Sequence, residues 1–495
     1  MKREAVFIAT MGVLRPAIRK VFKDKGGAIW MAMDRQGKPS NILLDSQLFE
    51  DIVTTASMLP EPHVPCSSAV VKDIRRALRV LAQGDHEPVQ LYTRFGSVNG
   101  TILFDLVDAD RTTIQIDEHG WGPTSRNMCH FIRTEDQGSL PFPDRGGDFT
   151  AINRFLPLSD EADRIIIQTF LPTVLFDQFE RPFLVVHGPR WSGKTTTTRI
   201  WRNLINPMKT DSYDVPNTKR DLVVILSGDP FPLFDNVNES FSLGLQSILS
   251  GAATGYGHKE RQFFTNFGSA TVQFRRTMII NGLRVPVTAE DIISRCLLVP
   301  FDGVFLSGEA DKSSLESEFD KQWASLFGGM LDVVSAALKI MPTVAPIPPG
   351  MFRFRDWARA ALACAEVMGI SRHDFLEVLD VVKKRQDRYV TTSTSVCDAA
   401  LRLMQQRSVW EGTATELLGE LEGIARKARL DMARWPKCAE QLGHVLNNVK
   451  RELETEGVSV ERNRVGKYRD RLIRLTKVPV TRPSAQPRSL KLSEK

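Results

Sequence analysis

Cysteine is scarce in this sequence, and the cysteines present are not arranged to bind a metal. Six cysteines are spread over 495 residues, with no C-x-x-C pair and no His/Cys cluster at zinc spacing. This pattern argues against a disulfide framework and a zinc site, and it favours a reducing, intracellular setting.

Long apolar runs are lacking as well. None approaches the length of a membrane span, so we expect a cytoplasmic protein without a membrane partner.

The sequence also lacks a strong excess of charge of either sign. It contains 65 lysines and arginines against 59 aspartates and glutamates, a formal net charge of +6. This balance is only mildly basic, so any nucleic-acid interface depends on where the cations cluster. The hydrophobic content of 42% and the charged content of 25% are typical of globular proteins. At this length the chain is expected to form two to four domains.

Shifts in periodicity divide the chain into six predicted segments. The N-terminal run is expected to open with a strand, because Glu4 and the lack of a cleavage site argue against a signal peptide. The next segment alternates like β-strands around an Asn99-Gly100 turn. The last folded segment places helices before a basic hairpin, as a winged helix does. The predicted segments are 1–86 for a small N-terminal domain, 87–150 for a β-rich module and linker, 151–305 for the core, 306–392 for a helical bundle, 393–477 for a winged-helix-like DNA-binding domain and 478–495 for a disordered tail.

The stretch "VVHGPRWSGKTTTTRI", residues 185–200, places two glycines, a lysine and a row of threonines after an apolar run. Glycines can adopt backbone angles closed to other residues and so direct several N–H groups at one anion. Lys194 adds a positive charge for the β- and γ-phosphates, and the Thr195 hydroxyl is suited to hold Mg²⁺. The pattern lies between a predicted strand and a predicted helix, as a phosphate loop requires. We therefore predict a site for ATP and Mg²⁺ formed by Gly188, Ser192, Gly193, Lys194, Thr195 and Thr196.

Three further polar residues follow this loop where phosphoryl transfer needs them. Asp235 ends an apolar run and supplies a carboxylate that can hold the metal together with Thr195. Asn281 ends another apolar run and is placed to orient a water near the γ-phosphate. The alternative is a turn residue, because Asn-Gly is a common turn dipeptide. Arg295 lies between a short helix and a strand, and taken alone it is a surface arginine.

The order of these motifs resembles that of the AAA+ ATPase core of superfamily 3 replicative helicases. The resemblance runs from about residue 181 to 302 and is closer to the helicase part of phage and mobile-element primase-helicases. Residues 87–150 and 305–477 are similar to the flanks of the mobile-element proteins. This resemblance implies an α/β fold, with an AAA+ P-loop ATPase core, an N-terminal α+β module and a C-terminal helical and winged-helix region.

The same resemblance implies an assembly, expected to be a homo-hexameric ring with ATP between subunits. The catalytic residues would be Lys194, Asp235, Asn281 and Arg295, the last acting on the neighbour's γ-phosphate as an arginine finger. One position departs from many AAA+ proteins, because Asn236 stands where a glutamate base usually follows the metal-binding Asp. Superfamily 3 tolerates Asn there. The base is left open between Asp235 acting through a water and Glu239.

A basic hairpin between Asp235 and Asn281 is a candidate for contact with single-stranded DNA. The stretch "GYGHKERQFFTNFGSATVQFRRT" alternates like two strands around a turn, and by resemblance it projects into the ring channel. The alternative is an exposed basic hairpin with a packed phenylalanine. The predicted contacts are phosphates on Lys259 and Arg261, or on Arg275 and Arg276, and a base stacked on Phe267.

A second basic hairpin lies near the C-terminus, in "VERNRVGKYRDRLIRLTK". It follows three predicted helices, the arrangement in which a wing lies along a DNA backbone. A charged, solvated sheet face is the alternative. We favour contact with duplex DNA through Arg462, Arg464, Lys467 and Arg469.

Two functions from different classes fit these observations. The leading hypothesis is an ATP-driven DNA helicase or translocase in the replication of a phage or mobile element. A separate chain would supply primase activity, because residues 1–135 lack an acidic metal-binding cluster. The second is a DNA-binding ATPase switch, an initiator or defence-associated NTPase that remodels a partner without unwinding. A small-molecule phosphotransferase would share the phosphate loop but would need neither Arg295 nor a basic wing.

Overall fold

The computed structural model describes a mixed α/β protein with several separate sheets. It divides into two compact units, Met1–Lys383 and Lys384–Lys495, and the boundary falls within one helix. The finer division into six segments stays a prediction. The described residues are 3–35, 37–61, 63, 66–84, 87–124, 130–237, 241–261, 269–283, 285–287, 289–301, 312–392, 395–428, 430, 432, 435–465 and 470–478.

The N-terminal part of the first unit packs three helices against an antiparallel sheet. The predicted opening strand is wrong. A helix forms instead, because Val6, Thr10 and Leu14 recur at helical spacing and are buried together. This helix contacts both helices that follow the sheet. The elements are α1 (Arg3–Leu14), β1 (Ile18–Lys23), β2 (Ile29–Arg35), β3 (Lys38–Leu43), α2 (Gln47–Ser57) and α3 (Ser68–Leu81), with strand order β1-β2-β3.

Short antiparallel strands follow in the segment that the sequence predicts to be β-rich. Asn99 and Gly100 have φ angles of 52° and 80°, the geometry of a two-residue turn that matches strand twist. The turn sets Val98 opposite Thr101 and so fixes the register. The strands are β4 (Leu91–Tyr92), β5 (Phe95–Val98), β6 (Thr101–Asp105), β7 (Thr113–Asp117), β8 (Gly120–Thr124) and β9 (His130–Phe131). Strands β5 to β8 form one antiparallel sheet, and β4 pairs with β9 in parallel.

A four-stranded parallel sheet forms the core that follows. Its strands are buried along nearly their whole length, as expected for parallel strands covered on both faces. The elements are α4 (Glu161–Thr173), β10 (Phe183–His187), α5 (Lys194–Ile205), α6 (Lys219–Gly228), β11 (Leu233–Phe234), α7 (Leu243–Thr254), β12 (Tyr256–Arg261), β13 (Ser269–Phe274), β14 (Ile279–Gly282), α8 (Glu290–Ile293) and β15 (Cys296–Pro300). The strand order is β11-β14-β10-β15, and every pair is parallel. Strands β12 and β13 pair separately as a hairpin.

Three long helices come next: α9 (Lys312–Ile340), α10 (Arg355–Val367) and α11 (Arg372–Thr392), the last containing the boundary between units. Helix α9 corrects the expectation that no stretch reaches membrane length. Within the described part of the chain, the helical stretch Ser313–Ile340 is long and apolar enough to cross a membrane. An 18-residue window within it has a mean hydropathy of 1.3. Yet 56% of that window is buried, and α9 packs against α4, α5 and α10. Because a buried core helix passes the same test, this is weak evidence for a membrane.

The second unit packs helices against a three-stranded antiparallel sheet. The two predicted C-terminal strands are confirmed, but the sequence analysis missed a short strand between the first two helices. That strand sets Trp410 opposite Leu475, and both side chains are buried with Leu417 in the core of the unit. The elements are α12 (Ser395–Gln405), β16 (Val409–Thr413), α13 (Ala414–Lys427), α14 (Ala439–Asn448), α15 (Lys450–Thr455), β17 (Val458–Val465) and β18 (Asp470–Lys477), with strand order β16-β18-β17.

A buried polar network joins the β-rich segment to α5. Arg202 Nη2 and Asp229 Oδ2 lie 2.7 Å apart, with side chains only 0% and 1% exposed. The Asn206 amide donates to the other oxygen of Asp229 at 2.8 Å and accepts from Arg94 at 3.0 Å. Arg94 also donates to the backbone carbonyl of Pro207. Burial lowers the pKa of Arg94 to about 10, so this side chain stays charged at neutral pH.

Replacing Asp229 by Ala should lower the free energy of unfolding by about 3–5 kcal/mol, because Arg202 is then buried without its counter-charge. Asp45→Ala is a matched control. It removes an exposed partner of Arg79 and should cost less than about 1 kcal/mol. Denaturant unfolding followed by circular dichroism measures both losses. Equal losses in the two variants would contradict the importance of the network.

Candidate functional site

Three strands of the parallel sheet end at one edge, and polar residues lie at each end. Strand β14 pairs with both β10 and β11, and the register sets Asn281 opposite Val186. Because the carboxyl ends of parallel strands share one side of a sheet, the ends of all three strands meet there. Asp235 follows β11 directly, and residues 188–193, here called the glycine loop, follow β10. The edge thus collects the polar residues singled out in the sequence.

The two glycines of the glycine loop are needed for different physical reasons. Gly193 has a φ of +84° and caps α5, whereas Gly188 has no such angle, so the expectation of unusual angles holds only for Gly193. A Cβ on Gly188 would lie 2.1 Å from the carbonyl oxygen of Phe301, so close backbone approach requires glycine there. Trp191 also has a positive φ, +64°, and is 98% exposed. Strained non-glycine residues of this kind concentrate at functional sites.

Lys194 is held inside the glycine loop. The residue is 8% exposed, and its Nζ donates to the carbonyl oxygens of Gly188 at 3.0 Å and Pro189 at 2.6 Å. Nζ also lies 3.1 Å from the hydroxyl of Ser192, which is itself buried. Burial lowers the pKa of Lys194, and the nearby Asp235 carboxylate opposes that shift. Lys194 is also the first residue of α5, and the first backbone N–H groups of a helix have no hydrogen-bond partner within that helix.

Asp235 is the centre of a buried hydrogen-bonded cluster. Its Oδ1 accepts from the Asn281 amide at 2.7 Å and from the Thr195 hydroxyl at 3.1 Å. The backbone N–H of Asn236 donates to the same oxygen at 2.8 Å, from a left-handed conformation with a φ of +55°. Asp235 and Asn281 are 4% and 1% exposed. The structure therefore brings Thr195, Asp235 and Asn281 together, while Thr196 is half-buried on the first turn of α5.

Two residues of α5 that the sequence analysis did not single out belong to this cluster. Thr198 Oγ1 accepts from the Asn281 amide at 3.3 Å. Arg199 lies 4.0 Å from Asp235 Oδ2, close enough to add positive charge beside the carboxylate. Helical spacing is the signal that would have found both residues. They follow Thr195 by three and four positions and so share its side of the helix.

Arg295 is held by a carboxylate of its own chain. Its guanidinium donates to the backbone carbonyl of Asp291 and pairs with the Asp291 carboxylate, and the residue is 6% exposed. Arg353, which the sequence analysis missed, lies 3.1 Å from the same carboxylate with a side chain 40% exposed. Hydrogen bonding from Arg295 holds the pKa of Asp291 below its usual range. Contact of Arg295 with a neighbouring subunit stays a prediction.

The predicted basic hairpin between Asp235 and Asn281 is present as the antiparallel pair β12 and β13, and its place in a ring channel stays a prediction. Phe267 lies outside the described residues, as do the side chains of Lys259 and Arg261. Arg275, at the base of the hairpin, is half-buried. Arg276 donates to a backbone carbonyl of α6 at 2.8 Å, and burial lowers its pKa to about 10. The Arg276 guanidinium is therefore hydrogen-bonded within the fold. Contact of the predicted hairpin residues with DNA stays a prediction.

The predicted C-terminal basic hairpin is formed by β17 and β18. Arg462 is exposed on β17 and donates to the backbone carbonyl of Gly443 in α14. Lys467, Arg469 and the side chain of Arg464 lie outside the described residues. Among the four residues predicted to contact duplex DNA, the structure therefore describes the side chain of Arg462, and the contact itself stays a prediction.

Comparison with known proteins finds similarity to replication proteins. Residues 162–380, which contain the glycine loop and the Asp235 cluster, match a family model described as "Actinomycete integrative conjugative element replication protein". Residues 396–488 match the model of the AICE RepA C-terminal domain. This chain is similar to the RepA replication proteins of actinomycete integrative conjugative elements. The N-terminal 161 residues lie before both RepA matches. No curated protein sequence matches the chain.

Solved structures that match the chain include two described as helicases. "SCCmec type IV Cch - active helicase" is 11% identical, with 92% of each chain covered and a TM-score of 0.48. The apo structure of the NrS-1 C-terminal region is 11% identical with a TM-score of 0.41, covering 97% of this chain and 100% of that chain. The X-ray structure of JCV helicase is 14% identical over 48% of this chain and 64% of that chain, with a TM-score of 0.23. No conclusion about activity follows from likeness at this level.

Replacing Gly188 by Ala should lower the free energy of unfolding by about 1–3 kcal/mol, because the new methyl group would collide with the Phe301 backbone. Gly228→Ala is the matched control. It ends α6 with nothing within 4 Å of its added Cβ, and should change stability by less than about 1 kcal/mol. Thermal and denaturant unfolding of both variants measure the difference. A Gly188→Ala variant as stable as the control would contradict the close approach.

Proposed function

We propose that this protein is an ATP-driven DNA helicase or translocase that acts in the replication of a mobile genetic element. One observation carries the proposal: the side chains of Lys194, Thr195, Asp235 and Asn281 meet at the carboxyl edge of the parallel sheet. This edge is where nucleotides bind in open α/β sheets. The similarity to RepA replication proteins supports the role in replication of a mobile element.

The glycine loop suits the phosphates of ATP. The left-handed turn at Gly193 leads directly into α5, whose first N–H groups and dipole favour an anion. Lys194 Nζ is bound by neutral carbonyl oxygens of the loop. Phosphate oxygens can replace these acceptors, and hydrogen bonds between charged groups are stronger than those to neutral carbonyls. The buried ammonium thus gains free energy when a triphosphate enters.

The residues beside the loop fit a Mg²⁺ ion. The Thr195 hydroxyl and the Asp235 carboxylate lie 3.1 Å apart, and oxygen atoms of these two kinds are ligands that Mg²⁺ prefers. When bound there by Thr195 and Asp235, the ion would supply positive charge that neutralises charge developing on the phosphates. Asn281 holds the Asp235 carboxylate in place, so it is a positioning residue in this arrangement. We propose that Asn281 also orients the attacking water.

The base and the arginine finger are proposed from fewer contacts. The base is open between Asp235 acting through a water and Glu239, which lies outside the described residues. Arg295 would act on a neighbour's nucleotide in a homo-hexameric ring. To reach it, the Arg295 guanidinium must leave the Asp291 carboxylate. Arg353 would then still neutralise that carboxylate, which lowers the cost of the movement.

We also propose DNA as the partner of the two hairpins. The β12–β13 hairpin would hold a single strand in the ring channel, and the β17–β18 hairpin would lie along duplex DNA. Exposure of Arg462 on β17 supports the second contact, because an exposed guanidinium can pair with a phosphate. A primase or another replication protein would act as a separate partner.

Lys194→Ala should lower DNA-stimulated ATP hydrolysis by about 10²-fold or more, because the lysine supplies charge to the phosphates and contributes little to the apolar core. Lys209→Ala, an exposed lysine beyond the end of α5, is the control and should keep wild-type activity. Circular dichroism should show both variants folded. Wild-type hydrolysis by folded Lys194→Ala would refute the site.

Strand displacement on a forked DNA substrate tests whether the wild-type protein unwinds DNA. ATP hydrolysis without strand displacement would indicate an ATPase switch.

Mixing two inactive variants tests whether the site is shared between subunits. Arg295→Ala should bind ATP normally and lose about 10³-fold or more in hydrolysis. Mixed with Lys194→Ala, it should regain activity, because one interface can pair an intact glycine loop with an intact arginine. A mixture of Arg353→Ala with Lys194→Ala is the comparison, because Arg353 contacts the same Asp291 carboxylate as Arg295.

DNA-stimulated ATPase rates of each variant and of the equimolar mixtures provide the measurement, after assembly has been checked by light scattering. Activity of the Arg295→Ala mixture no higher than the sum of its parts would argue against a shared site. Recovery only in the Arg353→Ala mixture would transfer the finger role to Arg353.

A further inference from the structure

A cavity of about 400 Å³ lies between the N-terminal sheet and the β-rich segment, away from the glycine loop. Strands β1, β2 and β3 form one wall, and β6, β7 and β9 contribute to the other. Both walls belong to the first unit. The cavity is lined by residues before position 135, so it lies outside both segments that match RepA.

The walls of this cavity are strongly basic. Five cationic side chains line it, against one carboxylate, Asp105. That carboxylate is already bound by Arg133, through Nη2 and through Nε at 2.7 Å. The cationic residues are Arg19, Lys20, Arg35, Arg111 and Arg133. Arg19 is likewise paired, because its Nε donates to the Asp34 carboxylate at 2.8 Å. No carboxylate that the structure describes pairs with Arg35 or Arg111, so an anion can supply their counter-charge.

Arg111 is fixed at the cavity by an unusual loop. Its backbone has a left-handed φ of +56°, which is uncommon for a non-glycine residue. The Asp108 carboxylate holds the loop by accepting from the backbone N–H and the hydroxyl of Thr112. Among the described residues, no carboxylate lies within salt-bridge distance of Arg111, and its guanidinium donates to the Pro39 carbonyl at 2.6 Å. Burial lowers the pKa of Arg111, and the neighbouring Arg133 and Arg35 lower it further.

The remaining lining mixes apolar, aromatic and polar side chains. Met33, Ile42, Leu103 and Phe131 place apolar and aromatic groups beside the cations, and the polar side chains are those of Ser40, Asn41 and Thr113. Its volume lies in the range of small-molecule sites, which is roughly 300–1,000 Å³. Cationic groups next to an aromatic side chain match the two parts of a nucleotide, because phosphate pairs with guanidinium and a base stacks on a ring.

One buried polar group in the lining also lacks a partner. Ser40, on β3, is 5% exposed, and its hydroxyl makes no hydrogen bond with any described residue. Buried hydroxyl groups are nearly always hydrogen-bonded, so an orphan here calls for an explanation. A small rearrangement on binding would let a polar ligand satisfy it.

We propose that this cavity binds a nucleoside phosphate, either as a free nucleotide or as one unit of a single-stranded nucleic acid. Arg111 and Arg35 pair with the phosphate, and the base packs against Phe131 and its apolar neighbours. This site is separate from the ATP site and does not depend on the proposed ATPase activity. The cavity would give the protein a second nucleotide-binding site.

The test uses the full-length chain carrying Lys194→Ala, so that the glycine loop contributes little to nucleotide binding. Three probes are titrated at fixed salt. Thymidine 5′-monophosphate and inorganic phosphate are titrated by calorimetry, and fluorescein-labelled pentathymidylate by fluorescence anisotropy. Arg111→Ala and Arg35→Ala are compared with Arg79→Ala, a surface arginine of α3 that does not line the cavity. Arg35 is exposed, so its removal breaks few buried contacts and keeps the test valid if Arg111→Ala unfolds.

We expect Arg111→Ala and Arg35→Ala each to weaken binding about tenfold or more, with Arg79→Ala unchanged. Loss confined to the mononucleotide identifies a free nucleotide as ligand, and loss confined to the pentanucleotide identifies a single strand. If neither cavity variant weakens binding of either nucleotide probe relative to Arg79→Ala, the proposal is wrong. Inorganic phosphate bound as tightly as the mononucleotide would also overturn it, because the base would then contribute nothing.

Discussion

The parallel alignment of β10, β11 and β14 is the constraint on which the candidate site depends. These strands are only two to five residues long, yet their shared direction puts all three carboxyl ends at one edge. The glycine loop, Asp235 and Asn281 become neighbours through this alignment. A shift of one residue in β14 would turn Asn281 to the other face of the sheet and bring Ile280 or Gly282 to its place, according to the direction of the shift. Register therefore decides whether the cluster forms.

Buried carboxylates hold the surrounding cations and amides in place. Asp235 binds Thr195 and Asn281, and Asp229 binds Arg202 and Asn206. Both sets include residues of α5, the helix that also carries Lys194. The network of Asp229 continues to Arg94, so the β-rich segment supports the far end of the same helix. Such networks cost desolvation energy, and this cost is offset when each group finds its partners. The site is thus positioned by a structure wider than the sheet.

The β-rich segment faces two chemically different environments. Through Arg94 it joins the core, and through Arg111 and Arg133 it borders the basic cavity beneath the N-terminal sheet. Asp105 lies between these regions, where its carboxylate pairs with Arg133 and its field also acts on Arg94. Strand β6 shows how one segment borders both regions, because alternate residues of a strand point to opposite faces. Leu103 and Asp105 line the cavity, whereas Phe104 between them packs against Phe327 of α9. One face of this strand serves packing while the other lines the cavity.

Local patterns in the sequence were sufficient to predict the glycine loop, its flanking strand and helix, the Asn99-Gly100 turn and the C-terminal hairpin. These features depend on residues a few positions apart, whose spacing and backbone preferences can be read directly. They were not sufficient for the first helix, which was predicted as a strand, because its short apolar run fits either period. Contacts such as Arg94 with Asn206 and Arg353 with Asp291 join residues 112 and 62 positions apart. Periodicity carries no information about such pairs, since their distance is set by how sheets and helices pack.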